Sequence, residues 1–112
     1  MPPPERVELM KGTLDLLILK SLRRGPMHGH GIAKHIERTS DDVLQVEHGS
    51  LYPALHRLVR KGWISADWET LAPSERELKY YRLTADGRRQ LAAEESKWSL
   101  LARAIGKVLK AT

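Results

Sequence analysis

Gly49-Ser50-Leu51-Tyr52-Pro53-Ala54-Leu55-His56-Arg57-Leu58-Val59-Arg60-Lys61-Gly62 is the stretch that decides the fold. Counted at 100° per residue, Leu51, Ala54, Leu55, Leu58 and Val59 gather on one half of a helical wheel. Tyr52, Pro53, His56, Arg57, Arg60 and Lys61 occupy the other half, and Gly62 stops the helix. Ser50 is placed to accept hydrogen bonds from the free N–H groups of the first turn, where Pro53 is also tolerated because its missing donor is not needed. A helix that is half apolar and half basic docks on its own core and offers Tyr, His, Arg and Lys outward. No acidic residue occurs from Gly49 to Ala66, so these cations have no local partner. Such a face is either a solvated surface or a contact with duplex DNA, where arginine pairs bidentately with guanine in the major groove. The tyrosine on the polar face and the segment that follows favour DNA.

Beyond Gly62 the period changes from 3.6 to 2. Ile64, Ala66 and Trp68 alternate with Ser65 and Asp67, and Lys79, Tyr81 and Leu83 alternate with Tyr80 and Arg82, which predicts two strands of one hairpin. The connection from Glu69 to Glu77 contains Pro73 and Ser74 and reads as a projecting loop. Upstream, Leu14, Leu17, Ile18 and Leu22 share one arc of a first helix while Leu16 and Leu19 project from its other side, so that helix needs two packing partners. Arg24-Gly25-Pro26 ends it, a second helix runs from about Gly29 to Arg38, and Thr39 to Asp42 are turn formers. Three short helices, the third basic on its outer face, followed by a hairpin describe a mostly α fold with a two-stranded β wing, the winged helix-turn-helix.

Thr84 is the N-cap of a last helix that runs to about Lys110, with Leu91, Trp98, Leu101, Ala102, Ile105, Val108 and Leu109 in one stripe. At 1.5 Å per residue it is about 39 Å long, beyond the reach of the preceding core, so its far half must find another chain. The chain therefore divides into a proline-rich arm (residues 1–8), a winged domain (9–84) and a dimerisation helix (85–112).

Composition narrows the function. The chain has 112 residues, one ordinary domain, and its 41% hydrophobic and 29% charged residues suit a folded protein. Nineteen Lys and Arg against fourteen Asp and Glu give a formal charge of +5, which favours a polyanionic partner. The absence of cysteine excludes disulfides, thiolate metal sites and a cysteine nucleophile. The longest apolar stretch, Leu16 to Leu19, is too short to span a bilayer, and the N-terminus lacks the apolar core of a secretory signal, so a cytoplasmic protein is expected, on the nucleoid when bound to DNA. No nucleophile motif, phosphate-cradling glycine loop or carboxylate pair marks an enzyme, and no cofactor is expected. His28 and His30 are one isolated pair without a supporting carboxylate at ligand spacing, so no metal is expected; they read, with His35, as surface or turn residues.

Residues 11–19 (KGTLDLLIL), 25–32 (GPMHGHGI), 49–58 (GSLYPALHRL), 61–64 (KGWI) and 79–84 (KYYRLT) resemble the PadR family of transcriptional regulators, in its short form with one C-terminal helix. The resemblance covers most of residues 9–100. It implies a homodimeric repressor, with the helix from Ser50 in the groove, Lys79, Tyr80 and Tyr81 on the wing and the last helix in the dimer interface. Within that frame His56 and Arg57 are expected at base edges, and Ser50, Tyr52, Lys61 and Lys34 on the DNA backbone, with Pro53 and Arg76 completing the DNA-facing set. The expected dimer interface is Leu9, Leu16, Leu19, Leu91, Trp98, Leu101, Ala102, Ile105, Val108 and Leu109. Some members bind flat aromatic compounds at the dimer centre, so Trp98 is placed either in an effector pocket or against its symmetry mate. Two dimer-related helices in successive major grooves predict a pseudo-palindromic operator with half-sites roughly 34 Å apart. The sequence departs from the family pattern at His30, where tyrosine is usual, and at Glu75 and Glu77, which flank Arg76 and weaken a wing contact with phosphates. Those carboxylates are the support for the competing reading, a protein-interaction module that keeps the fold without DNA binding.

Overall fold

A computed structural model describes residues 11–71 and 76–111. The N-terminal arm, Leu9 and Glu75 lie outside the described residues, as does the side chain of Arg76. The elements run α1 (Lys11–Leu22), β1 (Met27–His28), α2 (Gly29–Thr39), α3 (His48–Arg60), β2 (Ile64–Leu71), β3 (Arg76–Leu83) and α4 (Ala85–Lys110).

The core sits where α1, α2 and α3 meet the root of the hairpin. Ile18, Leu19 and Leu22 of α1, Ile32 and Ile36 of α2, Leu51, Leu55 and Leu58 of α3, and Ile64 and Tyr81 of the sheet are all buried there. Burying each such aliphatic side chain contributes about 1.5–3 kcal/mol, so this cluster rather than helix propensity holds the three helices together. The two-sided helix α1 thus finds most of its partners inside its own chain. Leu19, expected in a dimer interface, is 1% exposed and belongs to this core. Buried Ser21 donates to the Leu17 carbonyl at 2.7 Å, so no hydroxyl is left unsatisfied there.

The structure moves one boundary that the sequence placed late. α3 starts at His48 with Glu47 as N-cap, and the Glu47 carbonyl accepts from Ser50 at 3.0 Å and from Leu51 at 2.9 Å. Ser50 is therefore inside the first turn and does not cap the helix, and Pro53 lies a turn further in than expected. Pro53 has no N–H to give the Gly49 carbonyl, which is tolerable because both residues are exposed to solvent. The turn before α3 is fixed by Asp41 and Asp42, both at positive φ (52° and 62°), a region that Asp enters more readily than most residues. Glu37 of α2 then accepts the Val46 N–H at 3.0 Å and clamps the connection.

The hairpin is longer than its alternation suggested. β2 and β3 pair from Ile64↔Leu83 out to Leu71↔Arg76, so Glu69 to Leu71 and Arg76 to Glu77 are ladder, not loop. Met27 and His28 also pair with Tyr81 and Tyr80, adding a short third strand in the order β1-β3-β2.

Thr84 caps α4 as expected: its Oγ1 accepts from the Gly87 N–H at 3.0 Å and donates to the Gly62 carbonyl at 2.6 Å. Leu91 is 3% exposed and anchors α4 on the winged domain, which removes it from the expected dimer interface. Past Leu91 the helix leaves the core. No helix among the described residues is long and apolar enough to cross a membrane.

Candidate nucleic-acid interface

The buried half of α3 turns its other half outward. Ser50, Tyr52, Pro53, His56 and Arg60 are exposed on it. Tyr52 lies across the start of α2, where a Cβ on Gly29 would meet its ring at 3.1 to 3.3 Å, so the bare glycine lets the two helices approach. The Tyr52 ring meets His48 edge-on at 5.8 Å, His48 meets His30 edge-on at 5.8 Å, His30 lies nearly parallel to His28 at 6.5 Å, and His28 meets Tyr80 edge-on at 5.9 Å. An unbroken row of rings thus joins α3 to the wing. His28 is also the N-cap of α2, its Nδ1 accepting from the Gly31 N–H at 3.1 Å, a role hidden from the sequence because histidine is an uncommon cap.

Between α3 and the hairpin a cleft of about 400 Å³ is lined by His28, His30, Tyr52, His56, Trp68, Glu77 and Lys79, among others. Lys79 Nζ lies 5.6 Å from the centre of the Trp68 ring and 5.8 Å from that of Tyr81. Trp68 is 65% exposed and was not expected at a site. Its place in the strand alternation pointed inward with Ile64 and Ala66, but the hairpin continues past the end of the core. Tyr81 moves the opposite way. It is 5% exposed, and burial, with Tyr52 nearby, pushes its phenol up from the ordinary value, so it is a core residue and not a DNA-facing one.

Arg57 needs the largest correction. Its Nη2 donates to Asp15 Oδ1 of α1 at 2.8 Å, both side chains are at most one-fifth exposed, and Nε is buried without a partner among the described residues. It stands at the edge of the apolar half of α3, and its long side chain folds around that edge toward α1, away from the outer face. Arg57→Ala is therefore expected to leave base preference unchanged and to lower stability by about 1–3 kcal/mol through the unpaired Asp15, while Tyr52→Ala weakens DNA binding with little loss of stability. Thermal melts and duplex titrations of the two variants check this; relaxed base preference in Arg57→Ala would restore its reading role.

The remaining expected contacts are spread around this centre. Lys61 follows α3 with its Nζ 4.6 Å from the Trp63 ring centre, and Lys34 of α2 is exposed, 3.7 Å from Glu37. Tyr80 is half-buried beside His28, and exposed Glu77 stands opposite Thr70 in the hairpin. The fifth histidine, His35, lies apart, and burial followed by Arg24 and Arg38 pushes it below its ordinary value.

At the other end, Trp98, Leu101, Ile105, Val108 and Leu109 of α4 are exposed, from 48% at Trp98 to 78% at Leu109, and Ala102 is exposed among them. Trp98 and Leu101 line a depression of about 280 Å³ with Gly12, Thr13 and half-buried Leu16 of α1.

A winged three-helix domain with an aromatic and basic outer face, carried on a long helix whose apolar stripe is uncovered, is the build of a transcriptional regulator. The model of the transcriptional regulator PadR-like family matches residues 18–93, and the chain belongs to that family. Its fold superposes on a transcriptional regulator from Clostridium thermocellum with a TM-score of 0.81, at 28% identity over 89% of this chain and 96% of that one. A PadR family transcriptional regulator from Eggerthella lenta is 33% identical, with a TM-score of 0.76 over 91% of this chain and 86% of that one. One from Clostridium difficile is 27% identical, with a TM-score of 0.75 over 86% and 97%. Members of this family regulate transcription and are not enzymes.

Proposed function

We propose that the protein is a sequence-specific repressor that binds a pseudo-palindromic duplex operator as a homodimer. The observation that carries this reading is the outer face of α3, where Ser50, Tyr52, Pro53 and His56 stand exposed beside the wing cleft and no Asp or Glu occurs from Gly49 to Ala66. Tyr52, Ser50, Lys34 and Lys61 meet the DNA backbone, His56 meets a base edge, and Lys79, Tyr80 and Arg76 of the wing meet the neighbouring phosphates. The exposed stripe from Trp98 to Leu109 supports pairing with a second copy, because an apolar surface of this length is seldom left in water.

Fluorescence-anisotropy titration of duplexes from the gene's own upstream region against random duplex, at ~50 and ~200 mM salt, tests the reading. Tight, steeply salt-dependent binding to the upstream duplex is the expected result. Absence of salt-dependent binding to either duplex overturns it in favour of a protein-interaction module. Release of DNA by a flat aromatic compound from the wild type, but not from Trp98→Ala, supports an effector pocket at Trp98; equal release from both overturns that role.

A further inference from the structure

Four of the five histidines are gathered where α2, α3 and the wing converge, on the surface proposed above to meet DNA. We infer that His30 and His48, flanked by the α2 cap His28 and by His56, form a proton-gated seat for a backbone phosphate, so that acidification strengthens DNA binding; the inference rests on the DNA-binding reading of the same face.

Three observations point to a phosphate. His28, His30 and His48 form successive ring contacts of 6.5 and 5.8 Å, and His56 shares the wing cleft with His28 and His30, so one anion is within reach of several of them at once. The N-terminus of α3 opens onto the same place: the helix starts at His48 behind Glu47, which makes no side-chain cap hydrogen bond, whereas the start of α2 is capped by His28. Uncapped N–H groups at the positive end of a 13-residue helix favour an anion. Lastly, none of the four histidines has an ion-pair partner among the described residues; the acidic residues nearby include Glu47, next to His48 in the chain, Glu77 in the cleft, and Asp67, which stands opposite Tyr80 and is paired with Arg82. The other ionisable groups facing the cluster are Lys79, Tyr80 and Tyr81 from β3 and Tyr52 from α3.

Imidazole is the side chain that ordinarily changes charge between about pH 5 and 8, and an anion within ~4–6 Å favours its charged form. A phosphate seated beside imidazoles therefore favours their charged form. Protonation turns acceptors or weak donors into charged N–H donors, and each phosphate so neutralised releases a counterion. The cost of crowding several cations in the free protein is relieved by the phosphodiester. Glu77 offsets part of this gain by repelling phosphate across the cleft.

The test titrates the full chain with a labelled random-sequence duplex, since a phosphate seat does not depend on base sequence. Dissociation constants are measured at about pH 8 and about pH 6, at fixed and at varied salt. Binding is expected to be at least about fivefold tighter at the lower pH, with the slope of log K against log salt steeper by about 1 to 2, since each phosphate neutralised adds roughly 0.9. The double variant His30→Gln/His48→Gln, at two exposed positions, should lose most of the pH dependence, whereas His35→Gln should keep it. Salt-dependent binding of equal strength at both pH values, or pH dependence undiminished in the double variant, overturns the phosphate seat and leaves the DNA-binding reading standing. Absence of salt-dependent binding at both pH values overturns both.

Discussion

Leu101→Glu combined with Ile105→Glu is expected to leave the winged domain folded, to convert the proposed dimer to monomer and to weaken binding to a two-half-site duplex by at least about a hundredfold. The two positions lie one turn apart on α4, 49% and 48% exposed in the single chain, well beyond the Leu91 anchor. Neither belongs to the buried core cluster, although Leu101 lines the depression beside Leu16. In a two-fold interface the substitutions bring four carboxylates together on an apolar seam, and like charges so placed cost several kcal/mol. The large effect on DNA follows from geometry rather than from any lost DNA contact. A dimer engages its second half-site at the high effective concentration set by the first, and a monomer does not. Light scattering and anisotropy on the same preparation check the pair of outcomes. A variant that remains dimeric and binds as before would remove α4 from the interface.

Gly87→Ala is expected to destabilise the fold by about 2–4 kcal/mol, a fall in Tm of roughly 10–20 °C, although alanine is the better helix former by about 1 kcal/mol. A Cβ at Gly87 would sit 1.9 Å from the Trp63 carbonyl oxygen and 2.9 Å from both the Trp63 carbonyl carbon and Leu83 Cδ1. The obstructing atoms are chiefly backbone, and that carbonyl is already held by the Thr84 N–H at 3.1 Å, so the hairpin root does not yield. α4 must shift instead, which breaks the bond from the Gly87 N–H to Thr84 and tilts the projecting helix. Gly106, in the same helix with nothing within 4 Å of its Cβ position, provides the control, since Gly106→Ala should follow propensity and stabilise. Thermal denaturation of both variants decides it: a Gly87→Ala protein as stable as the wild type would mean that the close approach is relieved at no cost.

The loss at Gly87 is invisible in the sequence, where a glycine inside a helical pattern reads only as a weak position. The same limit explains the corrections at Arg57 and Tyr81. Arg57 was assigned outward by counting residues along a helix, and Tyr81 by the family resemblance. That count gives the direction in which a side chain leaves the backbone, but not what stands opposite it. Asp15 happens to face the flank of α3, and Tyr81 of β3 joins the cluster formed by the three helices, so the arginine is tied inward and the tyrosine is buried. Leu19 and Leu91 were given to a partner chain because their helices looked too apolar or too long for one domain, and the protomer itself absorbs them.

The sequence by itself determined the order of helices, the period-2 hairpin, the Thr84 cap, the apolar face of α3 and the stripe on α4. Each of these is written within a dozen or so neighbouring residues and depends only on backbone periodicity and capping chemistry. Only the tertiary structure decided that His28, His30, His48, Tyr52 and Tyr80 form one row, that Trp68 projects into the wing cleft, and that Arg57 is a strut between α1 and α3. Those contacts join residues far apart in the chain, and their partners are chosen by how the buried faces pack, which no local pattern records.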